Sequence, residues 1–293
     1  MKIFYKTILL LIFNSPFIIY NSFSQQAPGI EWAKCYGGSL WESASSIKQT
    51  FDGGYIAAGE AHSNDSNVSG NHGVADFWVI KINNLGDLQW QKCLGGSDWE
   101  TAHSVVQTND SGYIVAGDTQ SNDGDVNGNH GGTDVWIVKL DSSGNIQWQK
   151  CLGGNSGDQG FSIRQTVDDG YIVGGLTSSN NGDVSGNHGG PDGWVVKLDN
   201  LGNIQWQKCL GGTDGENIWN LMQTQDAGYI IAASTWSNDF DVSGNNGYED
   251  AWAVKLDSVG NIQWQNCLGG SAEDVGISIH ETPDSAYIMC VHA

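Results

Sequence analysis

A cysteine recurs at one constant interval, at Cys35, Cys93, Cys151, Cys209 and Cys267, with no insertion or deletion between copies. Tyr55, Tyr113, Tyr171, Tyr229 and Tyr287 keep the same spacing. So do Trp78, Trp136, Trp194 and Trp252, and the series Trp32, Trp90, Trp148, Trp206 and Trp264. A strict 58-residue period means that one supersecondary unit is copied along the chain, each copy burying its apolar face against the next. Glycine at 41 of 293 positions and a formal net charge of −21 would by themselves fit disorder. The periodic aromatic residues argue against it.

Residues 102–152 serve as the type unit. Ala102–Thr108 reads as a strand, and Asn109-Asp110-Ser111-Gly112 as a tight turn. Tyr113–Thr119 is a second strand, followed by a polar, glycine-rich loop. Val135–Leu140 is a third strand, apolar on both faces, as expected where neighbouring sheets cover both sides. A short turn around Gly144 leads to the fourth strand, Asn145–Leu152, which keeps one polar face at Gln147 and Gln149 and suits an outer edge. No stretch carries the 3.6-residue period of a helix. Four antiparallel strands per unit, packed radially, predict an all-β chain with a β-propeller fold. A β-solenoid is the alternative, although this repeat is long for one coil.

The count of strands predicts about five blades. Four complete units occupy 44–94, 102–152, 160–210 and 218–268. Residues 276–293 match only the first two strands, and 29–37 match only the fourth. Together they would form a closing blade without a third strand; otherwise the chain is part of a longer repeat array. The propeller domain is read as 25–293, preceded by a signal peptide over 1–24. There Lys2 and Lys6 precede an apolar run and Ser22-Phe23-Ser24 supplies a small-x-small cleavage site. A secreted or cell-surface chain is expected, with the periplasm as a second location, and no membrane insertion once the signal is removed. With 12 Lys+Arg against 33 Asp+Glu the chain has no basic footprint for nucleic acid. A monomer is expected.

The loop between second and third strands carries oxygen-bearing side chains at fixed offsets. In the second copy these are Asp123, Asp125, Asn127 and Asp134, at positions 1, 3, 5 and 12, with Gly128 at position 6. The other copies give Asp65, Asn67, Ser69 and Asp76; Asn181, Asp183, Ser185 and Asp192; and Asp239, Asp241, Ser243 and Asp250. This is the arithmetic of a calcium loop, with an all-oxygen donor set that favours a hard cation. Turn chemistry alone also selects Asp, Asn, Ser and Gly, so both readings stay open. His72, His130 and His188, at position 8, lie on successive blades, too far apart to share an ion, and are read as loop residues bonding the backbone.

The connections from fourth to first strand emerge on the same side as these loops. Each carries an acid at the repeat spacing: Glu42, Glu100, Asp158, Glu216 and Asp274. These would either ring the channel mouth and attract cations, or cap loop amides. Trp41, Trp99 and Trp236 break the repeat on that same face and are candidates for stacking on a sugar or anchoring a protein. The repeat cysteines, one per blade on outer strands, are too far apart for disulfides and are read as unpaired.

The run D-x-W-x-V-K-L-D-x-x-G-N-I-Q-W-Q-K-x-L-G-G-S, followed by S-I-x-Q-T-x-D-G-G-Y-I-V-A-G, resembles the bacterial secreted β-propeller repeats known as SBBP-type repeats. The resemblance covers 29–293. Similar arrays stand ahead of C-terminal sorting domains in large surface proteins of bacteria with a type IX secretion system, which implies export. No Ser/His/Asp order, phosphate loop or CxxC motif is present, and symmetric repetition is poor ground for catalysis. The expectation is a calcium-stabilised binding or adhesion module for a protein or glycan, not an enzyme. A polysaccharide-acting enzyme at the channel mouth and a ligand-free spacer are the alternatives.

Overall fold

The computed structural model describes residues 29–293, so the segment read as a signal peptide lies outside the described residues. Residues 34–293 form one unit. Each repeat folds as a four-stranded antiparallel meander whose strands pair in chain order. The first sheet holds β1 (Glu42–Gln49), β2 (Tyr55–Ala61), β3 (Asp76–Ile82) and β4 (Leu88–Leu94). The second holds β5 (Glu100–Gln107), β6 (Tyr113–Thr119), β7 (Asp134–Leu140) and β8 (Ile146–Leu152). The third holds β9 (Asp158–Gln165), β10 (Tyr171–Thr177), β11 (Asp192–Leu198) and β12 (Ile204–Leu210). The fourth holds β13 (Glu216–Gln223), β14 (Tyr229–Thr235), β15 (Asp250–Leu256) and β16 (Ile262–Leu268). A two-stranded sheet follows, β17 (Val275–Glu281) and β18 (Tyr287–His292).

The sheets fan as propeller blades. First strands of successive sheets lie against one another, whereas no comparably close approach joins their fourth strands among the described residues. The hydrophobic core lies between sheets. Phe77 and Val79 of the first blade, for example, share one cluster with Val105, Tyr113 and Trp136 of the second. Third strands are buried throughout, as their apolar faces predicted. Full burial of one Val, Ile or Leu side chain stabilises by about 1.5–3 kcal/mol, and each interface contains several.

Strand limits follow the expected ones closely. The first strand starts two residues earlier than read, because the loop acid Glu100 already pairs with Thr119. Each first strand also carries a β-bulge that the sequence does not announce, which leaves Ser45, His103, Phe161, Trp219 and Ile277 as the extra residues. A bulge bends the strand and re-aims its side chain, and here the bulged His103, Phe161 and Trp219 meet in turn. The first two rings are 5.2 Å apart edge-on, and the second pair 5.1 Å apart and stacked.

A buried lysine also departs from the apolar reading of the third strand. Lys139, 3% exposed, reaches Asp110 in the first hairpin turn at 2.8 Å, the Leu140 carbonyl at 3.1 Å and Gln147 at 3.0 Å. Lys81, Lys197 and Lys255 repeat the bridge with Asp52, Asp168 and Asp226. A buried ammonium needs such partners, and three acceptors satisfy its three donors.

The first sheet exposes a face that the inner sheets bury. Ile47 of β1 is 57% exposed, although its equivalents Val105, Ile163 and Leu221 are fully buried against a preceding blade. Residues 34–37 form no strand. Instead Lys34 bonds Asp87 and Tyr36 bonds the Gly86 carbonyl, both in the turn between β3 and β4. Lys92 of β4 reaches Asn145, the equivalent of Asp87, in the same way. The segment around Lys34 thus takes, against the first blade, the place of a preceding blade's fourth strand.

All six cysteines are free. Burial pushes the thiols of Cys93, Cys151, Cys209 and Cys267 up to about 12, which leaves them protonated and inert. Among the described residues no helix is long and apolar enough to cross a membrane.

Candidate functional site

Both long sets of connections emerge on one face and are stitched together. In the second blade, Asp125 N–H donates to the Gly95 carbonyl at 2.9 Å, and Asp98 N–H to Ser121 Oγ at 2.9 Å. The opposite face carries only tight hairpin turns. Loops held this firmly by a rigid scaffold are where binding residues concentrate.

The twelve-residue loops have the turn that their sequence requires. The glycine at position 6 takes a left-handed conformation in every copy, with φ of 89° at Gly70, 96° at Gly128 and 91° at both Gly186 and Gly244. Position 1 faces the neighbouring connection: Asp65, Asp123, Asn181 and Asp239 accept the backbone N–H groups of Ser39, Ser97, Asn155 and Thr213 at 2.8–2.9 Å. Position 3 leans the same way, since Asp125, Asp183 and Asp241 each accept from a glycine N–H at 3.3–3.4 Å. Asn67 donates its backbone N–H to the Gly37 carbonyl. At position 5, Ser69, Asn127, Ser185 and Ser243 receive the side-chain amides of Gln91, Gln149, Gln207 and Gln265.

Position 12 is different. Asp76, Asp134, Asp192 and Asp250 are fully buried. In the first three copies, one carboxylate oxygen accepts the ring Nδ1 of His72, His130 or His188 at 2.6–2.7 Å. Those histidines therefore bond a carboxylate, where a backbone partner was expected, because the loop folds position 8 over position 12. Burial raises the pKa of Asp76, Asp134 and Asp192, and the histidine bond opposes it. The other oxygen, Oδ1, is buried without a partner in Asp76, Asp134 and Asp250. Among the described residues, no three His, Cys, Asp or Glu side chains are arranged to hold a metal ion by themselves.

All five acids of the fourth-to-first connections bond loop amides, and three of them turn fully inward. Glu100, Asp158 and Glu216 are fully buried. Glu100 accepts Gly96 N–H at 2.8 Å and Thr119 Oγ1–H at 2.6 Å, and Asp158 accepts Gly154 N–H at 2.8 Å. Glu216 accepts from Gly212, Glu42 from Gly38 and Asp274 from Gly270. Each carboxylate thus caps an amide that a tight glycine turn leaves without a backbone partner.

Two of the three irregular tryptophans come together. Trp41 and Trp99 end the connections into the first and second blades, and His62 lies between them, 5.3 Å from the first ring and 5.2 Å from the second. The indoles are 59% and 44% exposed. Trp236 stands at the position of His62 three blades further on and covers Gly215, apart from this pair. His62 was not singled out from sequence, although it departs from Gln120 and Ser178 at its place in the next two repeats.

Fold and site define a β-propeller with one elaborated face, locked by polar side chains and carrying two exposed tryptophans on either side of a half-buried histidine. No protein-family model and no curated protein matches the chain, so the likeness to SBBP-type repeats rests on the repeat motif itself. Among solved structures, a mannose phosphorylase from Leishmania mexicana is similar at 11% identity and a TM-score of 0.41, over 85% of this chain and 80% of that one. A protein of unknown function from Bacteroides caccae is similar at 12% identity and 0.30, over 79% and 84%. A eukaryotic initiation factor gives 10% and 0.31, over 78% and 55%. At these scores the likenesses add nothing to the reading of the site.

Proposed function

We propose that the protein is a secreted binding module that holds a glycan on its loop-bearing face, across Trp41, His62 and Trp99. The observation that carries this reading is the trio itself: two half-exposed indoles flank one imidazole, on the face that polar loops make rigid. Aromatic faces offer large contact area at small entropic cost, and their polar edges tolerate hydroxyl-rich ligands. The firmly bonded loops mean that little ordering is lost on binding. A glycan array, followed by calorimetric titration of the tightest sugar, tests the reading. Trp41→Ala and Trp99→Ala should each weaken that sugar by about tenfold, equivalent to about 1.4 kcal/mol. No sugar retained, or an affinity that ignores both substitutions, overturns it; release of a shortened sugar would make the protein an enzyme.

Calcium is the second part of the proposal, and the support for it lies between blades more than within one loop. Asp76 Oδ1 and Glu100 Oε2 converge on Gly95, 2.7 Å and 2.5 Å from where a Cβ on that residue would stand, and Asp134 with Asp158 converge likewise on Gly153 and Asp250 with Asp274 on Gly269. Each pair joins a third strand to the next blade's first strand. Two like-charged carboxylates at one buried place are stabilised by a hard cation, which would also satisfy the partnerless Oδ1. Backbone carbonyls and water would complete the shell.

A further inference from the structure

The repeat is broken most sharply by charge at one position of the first strands, occupied in turn by Lys48, Val106, Arg164, Met222 and His280. Arg164, on β9, is the only arginine in the chain. One edge of its guanidinium is spent on backbone and hydroxyl: Nη1 donates to the Ile163 carbonyl at 2.7 Å and lies 3.5 Å from Ser104 Oγ. Burial lowers its pKa, and among the described residues no carboxylate forms an ion pair with it. In a protein with 33 acidic residues this is an unexpected place for an unpaired cation. The nearest acid along β17, Glu281, is committed elsewhere, accepting the Gln225 N–H at 2.8 Å. Lys48, from the first blade, adds a second positive charge to the same field, since its own pKa is lowered by burial and then by Arg164.

Arg164 borders a cavity of about 310 Å³ that runs from the third blade to the fifth. His280 and Asn220 line it with polar atoms, and Met222 and Ile279 with apolar ones. We infer that this cavity binds a small carboxylate-bearing ligand of about the size of a sugar acid. A planar guanidinium matches a planar carboxylate edge to edge, which a lone lysine would not do. The His280 ring and the Asn220 amide supply donors beside it, and the apolar wall contacts the ligand's carbon skeleton. The volume is at the lower end for small-molecule sites, so a monosaccharide acid fits and a long chain does not. The site lies near the tight-turn end of the first strands, away from the aromatic trio, and stands independently of the glycan reading.

The single arginine allows a test on the unaltered protein. Phenylglyoxal modifies arginine side chains, and its incorporation at Arg164, read by mass of the peptide that carries it, reports that residue alone. Glucuronate should slow modification severalfold, glucose should leave it unchanged, and inorganic phosphate should protect more weakly than glucuronate. Calorimetric titration with glucuronate should give an affinity that falls about tenfold or more in Arg164→Gln. His280→Ala and Asn220→Ala should each weaken it to a smaller degree, which keeps the proposal testable if the arginine variant fails to fold. Protection by phosphate without glucuronate, equal protection by glucose, or no protection by any of the three would overturn it.

Discussion

The indole of Trp148, on the outer strand of the second blade, meets the ring of Tyr171 in the third blade edge-on, with centroids 5.8 Å apart. Trp90 with Tyr113 and Trp206 with Tyr229 repeat the contact at 5.7 Å each, and Trp264 with Tyr287 at 5.6 Å. One aromatic pair therefore fixes the spacing at each successive blade interface. Tyr171 is 2% exposed, and Tyr171→Ala should cost about 3 kcal/mol, as large-to-small core changes do. Tyr287, on the two-stranded sheet, is half-buried, so Tyr287→Ala should cost about half as much. Urea denaturation midpoints of the two variants check this; equal losses would mean that the contact does not hold the blades.

The lysine bridges give stability a sign with pH. Asp52 and Asp226 are held at about 2, first by Thr50 and Thr224 and then by Lys81 and Lys255. Burial works upward on Asp110, yet its bonds from Lys139 and Thr108 hold it at about 2 as well. A folded pKa below the unfolded value of about 3.9 gives stability that is complete above pH 4 and lost as pH falls toward 2. Thermal melting should therefore fall across that window. A variant carrying Asp52→Asn, Asp110→Asn and Asp226→Asn should be less stable at pH 7 and lose less between pH 4 and 2 than the parent, the remaining slope coming from Asp168 with Lys197 and from the turn acids Asp141, Asp199 and Asp257. Solvent reaches the carboxylate end of each bridge and screens it, which keeps the loss to about 1 kcal/mol per bridge. A parallel slope in both proteins contradicts the assignment.

The buried position-12 acids pull in the opposite direction. Asp76, Asp134 and Asp192 have folded pKa values raised by burial, so their contribution is greatest at low pH and is lost as pH rises from the unfolded value through the folded one. A bound cation would remove that loss. Calcium at about 100 times its dissociation constant should then stabilise the protein at pH 7 by about 2.7 kcal/mol per site, and EDTA should reverse it. Asp134→Asn should shrink the calcium effect. Coincident melting curves in calcium and EDTA would remove the ion from the account.

The fold was legible because its signals are periodic. Tyr113–Thr119 and its copies alternate with turns at a constant interval, so strand number and order follow from residue type. The bulge at His103, Phe161 and Trp219 was not legible, since one extra residue in a strand leaves no mark on the period of the repeat. Lys139 and Asp110 stand in every copy at a constant separation, but the third strand reads as apolar on both faces, and only the fold shows the lysine within it reaching a turn acid. The acids at Glu100 and its equivalents show the limit most plainly: spacing places them on the elaborated face, and only the loop amides of Gly96 and its counterparts decide that they turn inward. Trp41 and Trp99 were found by their departure from the repeat, whereas His62 needed the fold to bring it between them.

The central claim is that ligand meets the protein at Trp41 and Trp99. Indole Nε1–H resonances of protein labelled with ¹⁵N-tryptophan, assigned by single substitution, report it residue by residue during titration with the array's tightest sugar. The account predicts shifts at Trp41 and Trp99, while Trp136, Trp194 and Trp252, whose indoles donate to Gln149, Gln207 and Gln265 inside the blades, stay still. Saturable shifts confined to other tryptophans, or none at any, would contradict it.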